Sequence, residues 1–214
     1  MSMLTDALAD PRSSVRLRAV MAAGTTADPA DLDVLLERCA VEPDLQVREA
    51  LTWSLVRLPA DLVVPRLVSE LARPEPQARS QAVHTLSKMH DRSVYSEVAD
   101  RLGDTDPSVR RTAWRAAAVL APDDERPALA RRLARELGDG DRDRRLALSR
   151  ALASLGEDAA RPALAEAAAR RGETVHEHVA DTERLLDDPD AASALAVERA
   201  RREVALGRSK RASG

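Results

Sequence analysis

From residue 45 the chain reads LQVREALTWSLVRLPA, and Val47, Leu51, Leu55 and Leu58 recur at steps of three and four. That spacing lines one face of an α-helix. The run stops at Pro59-Ala60-Asp61, and PRLVSEL, residues 65–71, begins a second periodic run with a proline near its start, where a missing N–H costs little. The same succession returns as Val109, Ala113, Ala117 and Leu120, a break at Ala121-Pro122-Asp123, and PALARRL at 127–133. The pattern predicts pairs of helices, a first helix A and a second helix B, separated by turns.

The pairs repeat. Arg16, Arg48, Arg79, Arg110 and Arg144, most of them after a small apolar residue, stand 31 to 34 residues apart. Six residues before each are Asp10, Glu42, Arg73, Asp104 and Gly138, the first three followed directly by Pro11, Pro43 and Pro74, so each unit opens on a turn. Leu137 extends the Leu129, Leu133 stripe, which predicts a B helix about one turn longer there. RPALA occurs twice, at 126–130 and 161–165. About five helix pairs occupy residues 3–171; none can bury its apolar face alone, so neighbours must stack. Residues 174–214 break the pattern. They are expected to form one helix around 174–187, stop at Asp187-Asp188-Pro189 and form another around 190–206. The expected organisation is a repeat array over 1–172, capping helices over 173–207 and a basic tail over 208–214.

With its short period and its Val-Arg-x-x-Ala pattern, the unit resembles a HEAT repeat, most closely the short HEAT-like repeats of the phycobilisome-lyase type. The resemblance implies an all-α fold, a right-handed α-α superhelix. It also implies a structural ladder in which the recurrent acids Asp10, Glu42 and Asp104 join the arginines Arg16, Arg48, Arg79, Arg110 and Arg144 of successive units. Arg73 and Gly138 depart from the family's acid position, so the ladder is expected to be incomplete at those two points. Helix B lines the concave side in such proteins, which makes Leu35, Arg66, Glu70, Tyr95, Glu97, Arg101, Arg131 and Arg135 the expected partner-binding positions, with Cys39 beside them.

Composition agrees with helices packed through small side chains. Of 214 residues 44% are hydrophobic, yet there is no Phe, one Tyr and two Trp, and 32% are charged. A sheet would draw on aromatic and β-branched residues. The formal net charge of -3 supplies no overall field toward nucleic acid. Cys39 is the single cysteine, which excludes an intramolecular disulfide and fits a reducing, cytoplasmic setting. The N-terminus lacks an apolar signal core, and no run of about 18 apolar residues marks a membrane span. The bias to arginine and alanine suggests a bacterial chain.

Candidate chemistry is sparse. Trp114 and Trp53 sit on A helices about 120° and about 145° from the centre of the apolar stripe; each is either an aromatic anchor or a filler of the seam between adjacent A helices, and the seam is favoured. Arginines crowd residues 126–150 but are interleaved with acids, which reads as a mixed surface. His176 and His178, two apart on a helix, diverge by about 200° and make a poor metal pair. Neither a GxxxxGK[ST] nor a GxGxxG phosphate loop occurs, and no cofactor is implied. The leading expectation is a non-catalytic scaffold for another protein or a peptide segment. The alternatives are a HEAT-like DNA-binding protein or alkylbase DNA glycosylase, and a chromophore-lyase-like protein.

Overall fold

The computed structural model describes residues 3–170 and 172–188, and every regular element among them is helical. The chain divides between Glu125 and Arg126 into two compact units.

The first unit holds α1 (Met3–Leu8), α2 (Ser13–Thr26), α3 (Leu32–Val41), α4 (Leu45–Val56), α5 (Ala60–Glu70), α6 (Pro76–Met89), α7 (Tyr95–Ala99) and α8 (Pro107–Leu120). Helices α2, α4, α6 and α8 are the A helices of successive repeats, and each packs on the next. Aspartates set where α4 and α8 begin. Asp44 accepts hydrogen bonds from the N–H groups of Gln46 and Val47, and Asp106 from those of Ser108 and Val109, satisfying donors that the first turn leaves open. The core is the periodic stripe: Val47, Leu51 and Leu55 of α4, Val83 and Leu86 of α6, and Val109, Ala113, Ala117 and Leu120 of α8 are all fully buried. Each buried Leu or Val contributes on the order of 1.5–3 kcal/mol.

Between A helices the contact is polar and small. Ser54 donates to the carbonyl of Val20 at 2.8 Å, Thr52 and Thr85 pair at 3.3 Å, and Ser80 and Thr112 at 3.0 Å. Gln81 adds bonds to Thr52 Oγ1 and to the Arg48 carbonyl. Short hydroxyl side chains let the backbones approach, and each buried hydroxyl has a partner, so the approach leaves none of them unsatisfied.

In the second unit, α9 (Arg126–Ala134) packs on α11 (Glu157–Ala168), and α10 (Arg142–Ser154) on α12 (Glu173–Asp187). Helix α12 takes the place of a further A helix rather than breaking the pattern. Its Thr182 pairs with Ser149 of α10 at 2.8 Å, as Thr85 pairs with Thr52 one repeat apart. The second expected helix, around 190–206, and the tail over 208–214 lie outside the described residues.

Two local expectations are corrected. Helix α9 ends at Ala134 instead of gaining a turn; Glu136 and Leu137 donate to carbonyls three residues back, and these tight turns still bury Leu137. The prolines of α5 and α11 are not at their starts, because those helices begin at Ala60 and Glu157 and place Pro65 and Pro162 inside. Both lie just past the first turn, so each removes a single early backbone bond. RPALA therefore opens α9 but continues α11, where the preceding Glu157-Asp158-Ala159-Ala160 already forms helix.

Candidate interaction surface

Joining consecutive A helices requires something to hold each repeat's opening turn to its neighbour, and an arginine does so. The guanidinium of Arg16 donates to the carbonyls of Asp10 and Pro11, and Arg79 likewise to those of Arg73 and Pro74. Arg16 then bridges to the next repeat's Glu42 through two bonds, Nε to Oε2 at 2.9 Å and an Nη to Oε1 at 2.7 Å. Arg79 reaches Asp104 in the same two-pronged way at 2.9 and 2.8 Å. Glu42 is fully buried and also accepts from Arg38 Nε and the Asp44 N–H. Burial alone would raise its pKa; the hydrogen bonds from Arg16, Arg38 and Asp44 outweigh that and hold it down at about 2.

The junction between α4 and α6 lacks this bridge. Arg73 occupies the acid position and pairs with Glu37 at 2.8 Å and Glu75 at 3.1 Å. Among the described residues the Arg48 side chain makes one hydrogen bond, to the Glu42 carbonyl at 3.3 Å. Over this junction lies a groove of about 600 Å³ that crosses α4, α6 and α8. Helix α4 supplies Leu45, Arg48 and Glu49; α6 supplies Gln77, Ser80 and His84; α8 supplies Ser108, Thr112 and Arg115. Leu45 is 62% exposed at its edge. His84 stands 3.6 Å from Glu49, and its Nε2 makes no hydrogen bond among the described residues; burial lowers its pKa below the ordinary imidazole value, against the opposing pull of Glu49.

In the second unit the recurrent arginine is Arg145, not Arg144. Leu148, Leu152 and Leu155 occupy the core positions of Ala113, Ala117 and Leu120, which aligns Arg145 with Arg110. Arg145 donates to the Gly138 carbonyl at 2.9 Å, as Arg110 does to the Asp104 carbonyl at 2.6 Å. Arg144 instead pairs with Glu136. Gly138 has φ +93°, and a Cβ there would collide with Val175 of α12, so glycine is required where an acid stands elsewhere. His178 of α12 meets this turn instead: its Nδ1 accepts the Gly138 N–H at 3.1 Å, and its Nε2 donates to the Arg145 carbonyl at 2.9 Å. His176 bonds separately to the carbonyls of Ala168 and Arg170. No group of three His, Cys, Asp or Glu side chains among the described residues is placed to hold a metal.

The expected B-helix positions are scattered. Leu35 is only 1% exposed, a core residue of α3 that cannot meet a partner. Arg66 pairs with Asp33 at 2.6 Å, and Arg101 donates to the Leu71 carbonyl at 3.3 Å. Glu70 is half-buried and its carboxyl is held above the usual range by that burial. Glu97 accepts from Ser96, and Tyr95 is half-buried. In the second unit Arg131 and Arg135 are exposed and rim a hollow of about 170 Å³ with Glu166 and Arg170. Cys39 is buried, and loss of solvation, reinforced by Glu70, pushes its thiol up to about 12, which removes it as a nucleophile at neutral pH.

The tryptophans part company. Trp114 is 1% exposed. Trp53 is 37% exposed, stacked under Arg57 at 5.0 Å and seated on α2 where Gly24 leaves room for its ring. Neither lines the groove over α6. Sequence periodicity could not locate that groove, because its lining is drawn from three A helices about 31 residues apart; the visible signal near it was Arg73 at an acid position.

Comparison with known proteins places the chain among helical repeats. The family model of HEAT repeats matches residues 1–56 and 64–142, more than half of the chain. No curated protein matches it in sequence. Similar solved structures include an engineered protein (18% identity, 87% of this chain and 98% of that one, TM-score 0.47). Human deoxyhypusine hydroxylase in complex with glycerol is similar over 92% and 93% at 19% identity, TM-score 0.45. The complex of CpcE and CpcF of phycocyanin lyase from Nostoc is similar over 86% and 93% at 16% identity, TM-score 0.39.

Proposed function

Since this chain belongs to the HEAT repeat family, we propose that it is a non-catalytic scaffold that holds a segment of another protein, and that the segment lies in the groove over α4, α6 and α8. The observation that carries this reading is the groove itself, a polar hollow of about 600 Å³ with an exposed leucine at its edge. Interfaces combine such a polar lining with an apolar anchor. By contrast, charges expected to bind on the B helices of the first unit are engaged with other charges or with backbone, as in Arg66 with Asp33 and Arg101 with the Leu71 carbonyl. The DNA glycosylase alternative needs an aromatic in a basic groove; Trp114 is buried, and this groove contains Glu49. The hollow beside Arg131 and Arg135 is the site to compare.

Quantitative capture from native lysate with the full chain tests the proposal. Glu49→Trp, which fills the groove from an exposed position, is expected to lose partners that the wild type and an Arg131→Glu, Arg135→Glu variant both retain. Recovery of the same proteins by all three would overturn it.

A further inference from the structure

The groove's chemistry specifies its occupant more narrowly, and this inference rests on the reading just given. At the two neighbouring junctions a carboxylate of the next repeat receives two hydrogen bonds from the repeat arginine, Glu42 from Arg16 and Asp104 from Arg79. At the junction between them the carboxylate is missing, and Arg48 lines the groove with one 3.3 Å bond to a carbonyl. Arg115, exposed on the opposite wall, makes no hydrogen bond or ion pair among the described residues, and His84 Nε2 between them makes no hydrogen bond. Two guanidinium groups thus flank one space, Arg115 with no partner among the described residues and Arg48 with one long bond, while the His84 ring between them stands 3.6 Å from Glu49. We propose that the groove binds an acidic polypeptide segment, one of whose carboxylates takes the place at Arg48 that the ladder acid fills elsewhere.

Size and charge select the same class. Packed helices stand about 8–10 Å apart, so a path over three of them runs about 20 Å, the length of about six extended residues. A bidentate guanidinium–carboxylate pair fits Arg48, and Leu45 offers an apolar contact at the α4 end. A nucleic acid strand is a poorer fit. No Trp, Tyr or Phe lines the groove for bases to stack on.

Fluorescence anisotropy with the full chain tests this directly, using labelled octaglutamate, octaglutamine, octalysine and an eight-residue oligothymidylate as probes. Octaglutamate is expected to bind at least tenfold tighter than the other three and to weaken as salt rises. Arg115→Glu, at an exposed position with no partner to lose among the described residues, and separately Arg48→Gln are each expected to weaken it at least tenfold, with thermal melts confirming that both variants fold. Arg131→Glu with Arg135→Glu should leave it unchanged. Equal binding of octaglutamate and octaglutamine, binding that survives both groove variants, or equal binding of the oligothymidylate would overturn the proposal. If octaglutamate fails while Glu49→Trp still loses native partners, the acidic class is wrong and the scaffold reading stands.

Discussion

Arg16 and Glu42 form a two-pronged ion pair between consecutive repeats in which the arginine side chain is 6% exposed and the glutamate not at all. Breaking a buried pair on one side strands the other charge. Glu42→Gln is therefore expected to destabilise the chain by about 3 kcal/mol, whereas Glu37→Gln, whose side chain is 68% exposed, should change it by less than about 0.5 kcal/mol. Urea denaturation of the two variants checks the contrast.

The same glutamate sets an acid limit. Its pKa is 4.5 unperturbed and about 2 in the fold, so its stabilisation is full above about pH 4.5 and is lost as pH falls through about 2. The shift corresponds to roughly 3 kcal/mol. Denaturation midpoints measured from pH 5 to pH 2 should fall for the wild type and change less for Glu42→Gln.

His178 acts in a milder range. Burial, only partly offset by the hydrogen bond to the Arg145 carbonyl, lowers its pKa below the ordinary 6.5. A group depressed in the fold stabilises above its unfolded pKa, so the contribution is full above about pH 6.5 and declines as pH drops toward the folded value. Protonation would also put a proton on Nδ1, which accepts the Gly138 N–H. Amide exchange in α12, corrected for intrinsic rates, is expected to accelerate at pH 5.5 relative to pH 7.5, and His178→Gln should flatten that dependence.

Gly24 and Trp53 make a fourth test. A methyl at Gly24 would enter the space of the Trp53 ring, and Ser54 Oγ is equally close. Gly24→Ala is expected to cost about 1–3 kcal/mol, and the penalty should shrink when combined with Trp53→Ala, since the two residues share one contact. Trp114→Ala, by contrast, empties a buried site and should cost about 3–5 kcal/mol.

These residues also mark what the sequence could disclose. Helical periodicity located the A-helix stripes, because Val47, Leu51 and Leu55 repeat at the helix's own period. It misassigned Arg144 for Arg145, since the glycines at 138 and 140 admit a shift of register that only the burial of Leu148, Leu152 and Leu155 resolves. Leu35 was placed beside the core stripe although α3 buries a wider face, with Leu32, Leu35, Leu36 and Cys39 all inside. The departure at Arg73 was legible, but its consequence was not. An unfilled position at Arg48 depends on a partner 25 residues away and on a third helix, α8, that completes the groove.

The central claim is that a partner segment lies over α4, α6 and α8 and engages Arg48. Hydrogen-exchange mass spectrometry of the full chain with saturating octaglutamate measures this most directly. The account predicts slowed exchange within residues 45–56, 76–89 and 107–120, and its loss in Arg48→Gln. Slowed exchange confined to residues 126–168, or the same protection in Arg48→Gln, would contradict it.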